Sequence, residues 1–225
     1  MFDRLKLILT DEQLDKINNL KVLIVGVGGV GGYALESLVR TGVKNITIID
    51  NDIVDESNLN RQIISFNSNI GKKKTLVAKE RCLDINPNCN ITTYNLFLNK
   101  DNIEEINYSK YDYIIDACDT ITTKVLLIKK AQENNINIIS CMGTGNRLDP
   151  EKVTITKISK TSNDPLAKVM RKLLKEEGVQ DVLVCWSSEL PIKNSSRTPG
   201  SAIFVPATAG LLISSYIIRK ITKDA

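Results

Sequence analysis

Apolar residues fall along the chain in short blocks separated by polar turns, and successive blocks change period. Residues 21–26 form a compact apolar run ending in glycine, followed by an amphipathic stretch at 33–40 and by Thr41 and Gly42. That is the order of a strand, a glycine turn, a helix and its C-cap. The unit then repeats. Residues 46–50 are a second apolar run, 75–85 have helical spacing and stop at Pro87, and 91–98 alternate as a strand does. Residues 113–117, 124–133 and 136–141 read as strand, helix and strand. Strands alternating with helices imply a parallel sheet with right-handed crossovers and helices on both faces.

From Asp149 the rhythm changes. Residues 153–158 alternate with period two, and Asp164 followed by Pro165 opens a helix that ends at Gly178. Leu166, Val169, Met170, Leu173 and Leu174 form one apolar stripe on that helix, with an N-cap, a first-turn proline and a terminal glycine. A strand at 182–186, a polar stretch at 187–200, a strand at 202–205 and a closing helix complete the pattern. The expected fold is one α/β domain over residues 1–225, a doubly wound, mostly parallel sheet with an antiparallel extension in its second half.

The uncharged stretch at 198–218 is long enough to span a bilayer, but Pro206, Thr208 and Gly210 interrupt it. It reads as a buried strand and helix, with no membrane contact. The N-terminus carries acidic residues and lacks a long apolar core, so it resembles neither a signal nor a transit peptide.

Composition removes whole classes of chemistry. The 225 residues contain no histidine, which excludes Ser-His-Asp and Cys-His nucleophile pairs, an imidazole base and a histidine-bearing zinc site. The five cysteines (Cys82, Cys89, Cys118, Cys141 and Cys185) show no C-x-x-C spacing, so no zinc site is expected, and reduced thiols fit a cytoplasmic protein. Cys118 and Cys141 read as small buried hydrophobes near strand ends. The net charge of +4 neither requires nor excludes a polyanionic partner.

Gly26, Gly28 and Gly31, with Gly29 between them, satisfy G-x-G-x-x-G between a predicted strand and a predicted helix. Free N–H groups at such a helix start favour a phosphate. Asp50 lies nineteen residues after Gly31, at the end of the next strand, where a carboxylate accepts hydrogen bonds from ribose hydroxyls. Arg61 and the lysines Lys72, Lys73 and Lys74 follow. Fixed cations so soon after the ribose-binding strand favour ATP over NAD, although a lysine run taken alone is usually a solvated loop. Asp119 follows the next parallel strand, either as a Mg²⁺ ligand or, with Thr120, as a helix N-cap.

Together these motifs, G-x-G-G-x-G, D-x-D-x-V-x-x-S-N-L-x-R-Q, G-x-x-K and D-x-x-D, resemble the ThiF/MoeB/HesA adenylating family, relatives of the ubiquitin-activating enzymes. The resemblance runs from Phe2 to the closing helix and implies a Rossmann-like adenylation fold, a homodimer, and ATP with Mg²⁺ activating a carboxylate. It implies Asp50 as ribose ligand, Arg61 and Lys74 as the triphosphate pair, and Asp119 as Mg²⁺ ligand. It further implies Arg4 as the arginine that reaches the partner subunit's phosphates. Asp52, Asn58 and Gln62 join the nucleotide site.

The segments 141–150, 160–171 and 200–206 resemble the branch that dehydrates threonylcarbamoyladenosine in tRNA, where the threonyl carboxylate is activated and closes on its own carbamoyl group. The alternative substrate is the C-terminal glycine of a ubiquitin-like or sulfur-carrier protein. Against it stand the missing C-x-x-C pairs and the absence of any cysteine after Cys185, which also makes a sulfur-transfer partner doubtful. A non-catalytic nucleotide-binding regulator or an NAD-dependent oxidoreductase rests on the glycine turn and Asp50 alone. For contact with the anticodon arm of tRNA, Lys168, Arg171, Lys172 and Lys175 lie on the polar face of one helix, and Lys193 and Arg197 lie in the polar loop.

Overall fold

In the computed structural model, which describes residues 2–179, 181–196 and 198–223, the first apolar run becomes β1 (Lys21–Val25), with four successive buried residues. A strand covered on both faces belongs in the middle of a parallel sheet. The other strands among the described residues are β2 (Asn45–Ile49), β3 (Asn90–Tyr94), β4 (Tyr113–Asp116), β5 (Asn137–Cys141), β6 (Val153–Lys157) and β7 (Leu183–Ser187). The α-helices are α1 (Asp11–Asn19), α2 (Gly31–Thr41), α3 (Lys74–Ile85), α4 (Ile121–Glu133), α5 (Pro165–Glu176) and α6 (Phe204–Lys223).

The sheet order is β3-β2-β1-β4-β5-β7-β6, parallel throughout except for the β6–β7 pair. The expected doubly wound sheet and its antiparallel extension are both present. Alternation along β1 divides the core. Val22 and Ile24 pack with α1, α2, α3 and α6, whereas Leu23 and Val25 pack with α4 and α5. From β1 the chain runs to β2 and β3 on one side, while β4 and β5 lie on the other. Such a reversal opens a crevice beyond the carboxyl ends of the central strands.

Three expectations differ from the structure, and one helix was not expected. No strand forms at 202–205; residues 204 and 205 already belong to α6. Pro206 is tolerated there because a first-turn residue needs no intrahelical N–H bond. The small residues after it let α6 lie flat on α2: a Cβ at Gly210 would sit 2.4 Å from the Val30 carbonyl oxygen, and the Ser214 hydroxyl donates to the Ala34 carbonyl at 3.0 Å. By length and composition α6 could cross a membrane, yet Val205, Ala209, Ile213 and Ile217 are wholly buried in the core. Burial against α2 accounts for the uncharged inner face of α6.

Second, β3 stops at Tyr94, four residues early, and Leu96, Phe97 and Leu98 turn into the crevice instead. Third, α5 buries Ala167, Met170 and Leu174 and leaves Val169 exposed, so its inner stripe is narrower than the apolar spacing suggests. The fourth difference is α1, which the pattern reading misses. Its start is a capping box in which the Thr10 hydroxyl accepts from the Gln13 backbone N–H and the Gln13 side chain accepts from the Thr10 N–H.

Candidate active site

The crevice holds about 520 Å³ at the carboxyl ends of β1, β2, β4 and β5. Its rim begins at the glycine turn between β1 and α2. Gly26 has φ +89°, and a Cβ there would lie 2.7 Å from the Ala117 carbonyl oxygen. Gly31 sits beneath the turn, outside the crevice lining, where a Cβ would lie 1.8 Å from the Gly26 carbonyl oxygen. The two glycines bring the start of α2 against β1 and β4. Gly28 and Gly29 line the opening. No side chain caps α2; the Gly32 N–H is taken by the Gly28 carbonyl at 3.0 Å, and the positive end of the helix dipole is left to favour an anion.

Asp50, at the end of β2, fixes this turn. Its Oδ2 accepts from the Val27 N–H at 2.8 Å and its Oδ1 from the Asp52 N–H at 2.8 Å. Burial pushes the Asp50 carboxyl upward, opposed by these two hydrogen bonds and by the charge of Lys74. Each oxygen retains a second lone-pair direction for a ribose hydroxyl. Lys74, the first residue of α3, is buried and held by Asp52, Nζ to Oδ2 2.8 Å. Arg61 is half-buried and anchors one guanidinium nitrogen on the Ser57 carbonyl, 2.6 Å, and on Asn60 Oδ1, 3.0 Å. Asn58 lines the crevice while its Oδ1 accepts from the Asp55 N–H at 3.2 Å. Gln62 is buried at the wall, and its Oε1 has no hydrogen-bond partner in the structure.

Asp119 stands exposed at the mouth, its Oδ1 accepting from the Thr120 hydroxyl at 3.4 Å. Thr120 is the N-cap of α4 and makes no side-chain capping bond. Thr120 thus takes the N-cap position without a side-chain bond, and Asp119 takes no part in capping. Mg²⁺ is typically held by one or two carboxylates together with substrate phosphates and water, and one carboxylate at a strand end beside the glycine turn fits that mode. The far wall, Met142 to Gly145 with Leu166, and the apolar Leu96–Leu98 segment were not legible as site residues. Cys118 and Cys141 also line the crevice, and burial pushes the Cys118 thiol far up, away from a reactive thiolate.

Arg4 lies elsewhere. Its segment carries Phe2, whose ring reaches Gly42 at the end of α2 opposite the glycine turn. Eleven helical residues span about 16 Å, so Arg4 is remote from its own crevice. On α5, Lys168, Lys172 and Lys175 are exposed, and Lys172 faces Glu176 at 3.8 Å. Arg171 is tied down, its guanidinium donating to the Thr161 carbonyl at 3.0 Å and to the Thr161 hydroxyl. Lys193 is exposed; Arg197 lies outside the described residues.

Sheet order, glycine turn, strand-end carboxylates and fixed cations define a nucleotide-binding α/β protein built for a polyphosphate. The ThiF family model matches residues 3–224, and the chain belongs to the ThiF family. It is similar to the tRNA threonylcarbamoyladenosine dehydratase of Bacillus subtilis (strain 168), with 37% identity over 241 residues, 99% of this chain and 95% of that one. Its structure resembles E. coli tRNA N6-threonylcarbamoyladenosine dehydratase in complex with ATP, with a TM-score of 0.93, 33% identity, and coverage of 99% of this chain and 94% of that one. The same E. coli enzyme in complex with AMP gives a TM-score of 0.89 at 34% identity, over 95% and 90% of the two chains.

Proposed function

We infer that this chain catalyses the ATP-dependent dehydration of threonylcarbamoyladenosine in tRNA to its cyclic form. The observation that carries the reading is the end-to-end likeness to dehydratases of this kind, one of them bound to ATP. The residues the sequence nominates for ATP, apart from Arg4 and Gly31, line one crevice.

The chemistry is the adenylation that the ThiF-family likeness implies. The threonyl carboxylate attacks the α-phosphorus of ATP and pyrophosphate leaves; the carbamoyl group then attacks the acyl carbon, AMP leaves, and the carbamoyl proton passes to solvent. The oxygen lost from the carboxylate departs in AMP, which accounts for the water. Asp50 orients the ribose, while Arg61 and Lys74 draw charge from the phosphates. Asp119 would hold Mg²⁺, which supplies charge neutralisation on the phosphate oxygens. The ring closure is intramolecular, and well-oriented attack of that kind removes on the order of 7–11 kcal/mol of barrier. No histidine or thiolate is required.

Arg4 serves the crevice of a second copy in a homodimer. What supports this is its distance from its own crevice and the apolar residues beside it, Leu7 and Ile8, which are 77% and 76% exposed. The free cysteines fit a cytoplasmic setting.

The anticodon arm approaches along α5, whose Leu166 lines the crevice and whose exposed lysines lead outward from it. Reversing Lys168, Lys172 and Lys175 to glutamate raises the dissociation constant for tRNA about tenfold at physiological salt and flattens its salt dependence by about two to three logarithmic units per decade. The shift in melting temperature on adding ATP stays unchanged. Filter binding across a salt series checks this, and an unaltered tRNA affinity rejects α5 as the contact surface. The reaction itself is tested by pyrophosphate release. Release that depends on threonylcarbamoyladenosine-bearing tRNA supports the assignment, whereas release that depends on a glycine-terminated carrier protein overturns it.

A further inference from the structure

Beneath the crevice floor lies an ion pair that the nucleotide site does not use directly. Lys124 of α4 and Asp116 of β4 are fully buried. The Lys124 ammonium donates to both Asp116 oxygens at 3.2 Å and to the Cys141 carbonyl at 2.7 Å. Asp116 also accepts from the Ser140 hydroxyl at 2.5 Å, from the Cys118 N–H at 3.3 Å and from the Cys118 thiol at 3.1 Å. One carboxylate and one ammonium therefore join the ends of β4 and β5 to the first turn of α4.

Stability alone does not call for this pair. Replacing a buried ion pair with well-packed apolar residues is commonly neutral or stabilising, whereas removing one partner strands a charge. Its placement has a different consequence. Asp116 leads directly into Ala117, Cys118 and Asp119, and Cys141 leads into Met142 and Gly143; all of these except Asp116 line the crevice, at the ends of two adjacent strands. The ammonium also cancels a buried negative charge beneath a site that accepts a polyphosphate, in surroundings where charges act strongly.

We propose that Lys124 is a positioning residue for the reaction: through Asp116 and the Cys141 carbonyl it fixes the Asp119-bearing segment relative to the Met142–Gly145 wall and keeps the floor electrically neutral toward the phosphates. The proposal rests on the dehydration reading, and it is tested partly without turnover.

Three variants are compared: Lys124→Met, Lys124→Arg, and Asp116→Asn combined with Lys124→Met. The double variant leaves no stranded charge and melts within a few degrees of the wild type, so it serves if Lys124→Met fails to fold. Its kcat falls about 100-fold while its KM for the modified tRNA changes less than threefold. The melting-temperature shift on adding ATP without metal shrinks to less than half the wild-type value. Lys124→Arg restores part of both. A double variant with wild-type kcat and a wild-type ATP shift overturns the proposal and leaves the pair a packing feature. Should the wild-type protein itself fail to convert the modified tRNA, the dehydration reading fails, and the ATP shift still decides whether Lys124 positions the nucleotide site.

Discussion

A Gly31→Ala variant loses its thermal response to ATP and its turnover together. The added Cβ would stand 1.8 Å from the Gly26 carbonyl oxygen and 2.9 Å from the Gly26 carbonyl carbon. Both obstacles are backbone, and neither can swing away as the end of a side chain can. The start of α2 must therefore move off β1, carrying with it the turn proposed to cradle phosphate. Overpacking by one methyl group ordinarily costs about 1–3 kcal/mol, and a collision with the main chain lies at or above the upper end. The expected result is a melting temperature lowered by several degrees, with no further shift when ATP is added. Gly28→Ala is the informative contrast. Its Cβ would meet the Gln62 side-chain nitrogen at 3.6 Å, an ordinary contact, so that variant keeps the stability of the parent while losing affinity for ATP. Differential scanning fluorimetry with and without nucleotide reads both. A Gly31→Ala protein with the normal ATP shift would show that the turn does not cradle phosphate.

The second large effect is expected at Asp119. The carboxylate is exposed and its polar contact within the chain is the Thr120 hydroxyl at 3.4 Å, so Asp119→Ala changes stability by no more than about 0.5 kcal/mol. Turnover behaves otherwise. Removing a group that stabilises developing charge in a crevice typically lowers kcat by about 10²–10³-fold, and the loss is expected in that range, with tRNA affinity preserved. Steady-state kinetics at saturating modified tRNA, set beside a thermal melt, separates the two roles. A fall of less than threefold would mean that Asp119 neither holds the metal nor contacts the phosphates.

Much of this site is local in sequence, which is why it could be read there. The glycine turn, Asp50 at the end of the next strand and Asp119 at the end of another each follow an apolar run within a few residues, and parallel strand ends converge by topology. What failed to show depends on distant partners. Lys124 sits on a helix where a lysine reads as solvated; only the fold brings Asp116 and the Cys141 carbonyl to its ammonium. Leu96 and Leu98 continue the alternation of β3, yet the chain leaves the sheet after Tyr94 and turns them into the crevice.

Residues 202–205 show the opposite error. Ile203, Phe204 and Val205 have the apolar density of a strand, but the close packing that small residues allow against α2 makes the segment the start of a helix. Arg171 belongs with the readings that the fold modifies: its spacing puts it on the polar face of α5, while its guanidinium is spent on Thr161. Exposed Lys168, Lys172 and Lys175 keep the role proposed for that face. The missed α1 did leave a signal, since Thr10 and Gln13 stand at capping-box spacing.

The most direct test is nucleoside mass spectrometry on tRNA bearing threonylcarbamoyladenosine, incubated with this protein, ATP and Mg²⁺ and digested gently enough to keep the ring closed. The expected result is loss of one water from that nucleoside, dependent on ATP and slowed by about 10²–10³-fold in Asp119→Ala. An unchanged nucleoside, with ATP demonstrably bound, would contradict dehydration as the reaction of this crevice.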